Sequence, residues 1–231
     1  MSKNEIYEIN KNIAKLKYGR HTNFITPNYL SQIRFRLRKD EYNVYYLYDD
    51  CDKVVLYTDE LPYVRLFEII SYNSLKHSEI LGSLFGLNIC NEMFGDIVIY
   101  NDRYFVYLMN DVSEFVMDNL HMIGSNYVKL KEVPLNTLCD YKKQYEKYNI
   151  IVSSLRIDTV VSRIIGTSRD KIKNKIRNKE IMLNYDVLDN SSYALKEGDI
   201  FSIRKYGKYK FIGIIKTTKK DNYIVQYYKY I

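Results

Sequence analysis

Tryptophan is absent from this 231-residue chain, and glycine (9), proline (3) and cysteine (3) are scarce. So little Gly and Pro excludes a fibrous or low-complexity disordered protein. No apolar run reaches the ~18 residues of a bilayer span, so no membrane-crossing helix is expected. Met1-Ser2-Lys3-Asn4-Glu5 leads into a polar stretch without an apolar signal core, so a cytoplasmic location is expected. Cys51, Cys90 and Cys139 lie about 40 to 50 residues apart with no C-x-x-C pair, which argues for a reducing compartment without a disulfide framework. His21, His77 and His121 are equally scattered. A structural zinc site needs four close-spaced ligands, so neither a metal nor any other cofactor is expected. His77-Ser78-Glu79 supplies only the first half of a zinc-deaminase signature.

What is abundant is tyrosine, 25 residues. With the many Lys, Asn and Ile it reads as the drift of an A/T-rich genome rather than a tyrosine-based activity. Charge is more informative. Residues 1–149 hold 18 Lys+Arg against 20 Asp+Glu, whereas residues 150–231 hold 17 against 8. The last third therefore carries the whole basic excess, which points either to a nucleic-acid contact or to a solvated cationic face.

Ile6, Ile9, Ile13 and Leu16 recur at helical spacing over residues 5–18, and Gly19 ends that helix. Thr26-Pro27 marks a second helix start, running to about Lys39. Its end carries Arg34, Arg36 and Arg38, a possible second RNA contact set on a helix surface. Residues 42–48 read as extended and 54–57 as a short strand. From residue 62 the order becomes strand (63–72), helix (78–85), strands (97–100 and 104–109), helix (112–120) and strand (127–133). That βαββαβ order is a ferredoxin-like split βαβ unit. The polar stretch 140–147 reads as a connecting helix or linker. The expected fold class is α+β, with a mostly helical N-terminal region (1–61), a central ferredoxin-like domain (62–149) and a basic C-terminal domain (150–231).

In the C-terminal part, Val160, Val161, Ile164 and Ile165 form a helical stripe ended by Gly166. Thr167-Ser168 then caps a second helix, with Thr167-x-x-Asp170 at capping-box spacing. On it Ile172 and Ile176 face inward, Arg169, Lys173 and Arg177 form a row, and Lys171 and Lys175 flank the other side. Such a helix suits phosphate contact. Lys205-Tyr206-Gly207-Lys208-Tyr209-Lys210 reads as a basic, aromatic hairpin tip. Tyr interleaved with Lys either stacks bases and attracts phosphate or merely fills a β surface.

Arg156-Ile157-Asp158, Ser168-Arg169, Ile176, Ile181-Met182-Leu183-Asn184 and Gly198-Asp199-Ile200 resemble the alpha-L RNA-binding motif, the small module of the ribosomal protein called S-four and of several RNA enzymes. The resemblance covers about residues 153–204. Lys179 and Tyr185 stand where that family often has Gly at left-handed turn positions, so altered turns are expected. His77-Ser-Glu79-Ile-Leu-Gly82-Ser-Leu-Phe-Gly86-Leu, followed by Gly95-Asp96-Ile97, is similar to the YlmH-type family, which has an N-terminal region, a central RNA-binding domain and a C-terminal alpha-L domain. Here Glu79, Asn88 and Asn91 replace that family's Asp, Gly and basic residue, so a weaker contact from the loop before Gly95 is expected. The resemblance implies a non-catalytic factor that binds ribosomal RNA and tRNA on large ribosomal subunits in the rescue of stalled translation; some relatives are linked to cell division. Separately, a monomer is expected in solution. RNA contacts are then expected from Arg156, Ser168, Arg169, Lys171, Lys173, Lys175, Arg177, Lys179, Lys205 and Lys208, with His77 and the Arg34 cluster as a second set.

Bottom-up, Gly82 and Gly86 read as close packing of a helix on the sheet. His77, Glu79 and Asp96 read as structural or RNA-contacting rather than as acid–base catalysts, because no nucleophile, phosphate loop or metal cluster accompanies them. Two alternatives remain open. Arg156-Ile157-Asp158 superficially resembles the stretch around the catalytic Asp of pseudouridine synthases, although only 73 residues follow it. A division adaptor that binds protein is the other.

Overall fold

The computed structural model describes residues 3–231, and the side chains of residues 6–231; Met1 and Ser2, the first residues of the N-terminus that reads as signal-free, lie outside them. The chain forms two compact units, Met1–Lys142 and Lys143–Ile231. No described helix is long and apolar enough to cross a membrane.

The first unit opens with α1 (Lys3–Lys17) and α2 (Pro27–Arg36), followed by a hairpin of β1 (Asn43–Tyr46) and β2 (Val54–Tyr57). Ile9 and Leu16 of α1 pack with Leu30 and Ile33 of α2 and with Val54 and Leu56. Gly19 ends the first helix with φ +75°, and a Cβ there would lie 2.6 Å from Asp59 Oδ2. Pro27 occupies the first turn of α2, where its missing N–H is harmless. That helix stops at Arg36 rather than near Lys39, because the buried Leu37 turns extended to reach the core.

The elements β3 (Val64–Ser71), α3 (His77–Gly86), β4 (Phe94–Tyr100), β5 (Arg103–Met109), α4 (Asn110–Asn119), β6 (Met122–Ile123) and β7 (Asn126–Val133) follow. Their antiparallel sheet has the order β4-β5-β3-β7-β6. Without the short β6, this is the order of a split βαβ unit. Alternation on β5 divides its side chains between two cores. Val106 and Leu108 meet Ile80, Leu84 and Val116 of α3 and α4. Phe105 and Tyr107 meet Phe24, Tyr48, Val55 and Leu138 on the other face. Both faces of this sheet are therefore covered, and the two N-terminal regions expected to divide at 61/62 share one unit.

The second unit contains β8 (Tyr145–Val152), α5 (Ile157–Ile165), α6 (Arg169–Arg177), β9 (Ile181–Leu183), β10 (Asp186–Val187), β11 (Ile200–Ile203), β12 (Gly207–Thr217) and β13 (Tyr223–Tyr230). They form a sheet of order β10-β9-β11-β12-β13-β8. Ile157, Val160, Val161, Ile172 and Ile176 of the helix pair pack on Phe201, Ile203, Tyr209, Phe211, Val225 and Tyr227. The expected border at 150 falls inside β8, which pairs with β13 from Tyr145↔Tyr230 to Val152↔Tyr223. The stretch read as a connecting helix or linker is in part this strand. It is a polar edge strand, and only Val152 in it is buried, so it lacks the alternation that announces a strand.

Candidate nucleic-acid interface

α5 and α6 owe their arrangement to two small residues between them. Gly166 takes the left-handed conformation (φ +66°) that ends α5. Ser168 then caps α6, its hydroxyl accepting the Lys171 amide at 3.4 Å. The cap is thus Ser168, one residue beyond the expected Thr167 box. The N-terminus of α6 opens into a hollow lined by Ser162, Arg163, Gly166, Thr167, Ser168 and Lys171. Helix N-termini attract anions, and two cations flank this one. Arg163, on the exposed side of the last turn of α5, is not singled out by the sequence. Its signal is modest: a basic residue three positions before a helix-ending glycine.

The cations expected to form one row divide by partner. Arg169 Nη2 and Arg156 Nη2 both donate to Asp158 Oδ2 at 2.9 Å, and the Asp158 side chain is fully buried. Burial by itself raises the pKa of this carboxyl; the hydrogen bonds and positive charges of Arg156 and Arg169 outweigh it and hold the carboxyl at about 2. Asp158 therefore ties α5 to α6. Lys173 pairs with Asp170 at 3.1 Å and Lys175 with Glu180 at 2.7 Å. Arg177 donates to Asn174 Oδ1 at 3.3 Å. Surface pairs of this kind are weak and exchangeable, so these side chains can re-aim at a phosphate. Lys171, Arg177 and Lys179 are exposed.

Lys179 and Tyr185 keep the left-handed geometry of the glycines they replace, with φ +58° and +73°. Asn88 does the same at φ +59°. The expected change of turn does not occur; the fold imposes the turn and the side chains bear the steric cost. The turn before β12 places Lys205 (φ +72°) in the open and sets the Tyr206 ring 5.5 Å from Lys175 Nζ. Lys208 is not part of this face. It precedes the core residue Tyr209 on β12 and so projects from the opposite side of the sheet.

The first unit holds the second expected set. Arg34, Arg36 and Arg38 are exposed at the end of α2, Arg36 donating to Asn10 Oδ1 at 3.0 Å. His77 is exposed at the start of α3. Gly82 and Gly86 do not pack on the sheet: both are exposed, and a Cβ on either would meet nothing within 4 Å. Close packing by glycine occurs instead at Gly95, where a Cβ would sit 2.9 Å from Leu47 Cδ1 and from Tyr107 Cβ. Gly95-Asp96 lies at a register shift inside β4 rather than in a turn before it. Asp96 accepts the Tyr48 hydroxyl at 2.5 Å and the Asp52 and Lys53 amides at 2.7 and 3.1 Å. Lys53 Nζ, buried beside Phe94, donates to the Asn91 and Phe94 carbonyls at 2.6 Å. Desolvation lowers its pKa to about 8. Glu79 accepts the Lys76 amide at 2.8 Å. Asp96 and Glu79 thus act as latches of two different loops.

Comparison with known proteins agrees with this architecture. Residues 63–137 match a family described as "Putative RNA-binding domain in YlmH". Over 169 residues the chain is 31% identical to the ribosome-associated protein quality control protein P2 of Bacillus subtilis (strain 168), covering 70% of this chain and 66% of that protein. The match thus falls just short of two thirds of that relative. A solved structure, the cell division protein ylmH from Streptococcus pneumoniae, has the same fold over 61% of this chain and 97% of its own, with a TM-score of 0.50 and 20% identity. Residues 63–137 thus match the YlmH RNA-binding domain, and the chain as a whole is similar to YlmH-type proteins in sequence and in fold.

Proposed function

We propose that this protein is a non-catalytic RNA-binding factor of the ribosome. In this reading the α5–α6 face of an alpha-L-like second unit grips structured ribosomal RNA of the large subunit, with tRNA as a neighbouring contact, during rescue of stalled translation. The observation that carries it is the cationic hollow at the start of α6, where Arg163 and Lys171 flank a helix N-terminus. The name of the Bacillus subtilis relative supports the ribosomal setting. The recognition chemistry is electrostatic capture, with specificity supplied by RNA shape.

The test is co-sedimentation of the full chain with purified large subunits. Replacing Arg163, Lys171 and Arg177 together by Glu is expected to abolish sedimentation while circular dichroism stays native. With a structured RNA fragment, the dependence of log affinity on log salt is expected to flatten by about one for each phosphate that the variant no longer neutralises. Unchanged sedimentation of a folded triple variant refutes the reading.

A further inference from the structure

We propose that the face of the second sheet turned away from α5 and α6 is a separate platform for unpaired RNA, stacking bases on tyrosines and holding phosphates on lysines. The proposal rests on the RNA-binding reading but uses a different surface. It follows from the strand registers. Tyr209, Phe211, Val225 and Tyr227 point into the core, so their neighbours in each strand point outward. Lys147 lies opposite Tyr228, and Tyr228 opposite Lys210. Tyr145 lies opposite Tyr230 at the same end. One outward row across β8, β13 and β12 therefore reads Lys147, Tyr228, Lys210, and the row beside it begins Tyr145, Tyr230.

The side chains already show the geometry that bases would use. The rings of Tyr145 and Tyr228 are parallel within 7°, their centroids 4.3 Å apart. Lys147 Nζ stands 5.6 Å from the Tyr228 ring centre. Lys208 Nζ lies 4.8 Å from the Tyr185 ring and 5.2 Å from the Tyr230 ring. Each ammonium is held beside a flat ring, about where the phosphate of a stacked nucleotide would run. Tyr145 is 43% exposed and Ile151, on the same face, 50%. The outward strand positions include Lys147, Lys208, Lys210 and Lys216 and no carboxylate. An acid at the margin, Glu197, approaches Gly213.

Charge complementarity selects the occupant. A protein partner covering this face would have to desolvate Lys147, Lys210 and Lys216, which stand among tyrosine and apolar side chains. A polyanion with flat apolar bases meets both requirements. Single-stranded rather than duplex RNA is required, because only unstacked bases can lie on the rings. The sheet of the first unit offers no comparable platform, since Phe105 and Tyr107 are buried under the N-terminal region.

The experiment uses the full chain and two fluorescent probes, a 12-nucleotide oligouridylate and a stable RNA hairpin. Wild type is expected to bind the oligouridylate. Tyr145→Ala with Tyr228→Ala should weaken that binding at least tenfold, with hairpin affinity and sedimentation with large subunits largely unaltered. Tyr145→Phe with Tyr228→Phe should restore it, because the flat rings return. Lys171→Glu with Arg177→Glu should do the reverse, weakening hairpin binding more than oligouridylate binding. If the double-alanine variant is folded and binds the oligouridylate like wild type, or if wild type binds the hairpin only, the platform is overturned while the α6 reading stands. Binding of neither RNA overturns both. A wild-type dimer that the alanine substitutions dissociate would assign the face to self-association and also overturn the proposal.

Discussion

Replacing Asp158 by Asn is expected to destabilise the second unit in a way that fades in acid. The carboxyl is fully buried and accepts hydrogen bonds from Arg156 and Arg169, and its pKa of about 2 lies below the ordinary 3.8. A depressed carboxylate pKa stabilises the folded state above the unfolded value, and the contribution is lost as pH falls through the folded value. Here it amounts to about 2 kcal/mol at pH 7, with roughly half of that left at pH 3. In urea, with a slope of about 1–2 kcal/mol per molar, the midpoint should drop by about 1–2 M at pH 7. The gap between wild type and variant should shrink to about half of that at pH 3. Circular dichroism of the full chain reads both midpoints. Equal midpoints at pH 7, or a gap that does not narrow by pH 3, would refute the argument. Because the two arginines reach solvent, the variant strands no buried cation; it releases them, and affinity for structured RNA is expected to rise a few-fold.

Two further pairs of outcomes test the local arguments. Gly95→Ala should cost about 1–3 kcal/mol, since its Cβ meets Leu47 and Tyr107 at 2.9 Å, whereas Gly82→Ala on the open side of α3 should stabilise by about 0.5–1 kcal/mol; thermal melts of both distinguish packing from exposure, and equal melting points would sink the distinction. Lys179→Gly should relieve a left-handed lysine and stabilise by about 1 kcal/mol while weakening structured-RNA binding; a variant that is no more stable, or that binds as tightly, contradicts one half or the other.

The sequence shows its secondary structure most plainly where one face of an element is apolar. Ile172 and Ile176 between Gly166 and the polar turn at Asn178 make α6 readable, and the strands around Phe105 and Val128 make the split βαβ order readable. The edge strand β8 is opaque because Tyr145, Lys147 and Asn149 lie on an uncovered face and give no period. The glycines mislead for a related reason: a four-residue spacing describes a helix face without saying whether that face points inward. At the site, the basic helix is legible but its internal pairing is not. Nothing near Asp158 announces that it is buried, so the engagement of Arg156 and Arg169 emerges only from the packing of α5 on the sheet. Lys208 groups with the α6 cations by proximity along the chain, and the pleat sends it to the other side.

One consequence concerns the order in which the molecule is made. β8 begins the second unit, yet its partner β13 follows some 71 to 85 residues later along the register. At a synthesis rate of about 5–20 residues per second, the nascent β8 waits on the order of ten seconds with its backbone amides and carbonyls unpaired. Its Lys147 and Glu146 discourage stray strand pairing during that interval. The tyrosine platform therefore comes into being only with the final hairpin, after α5 and α6 have already emerged.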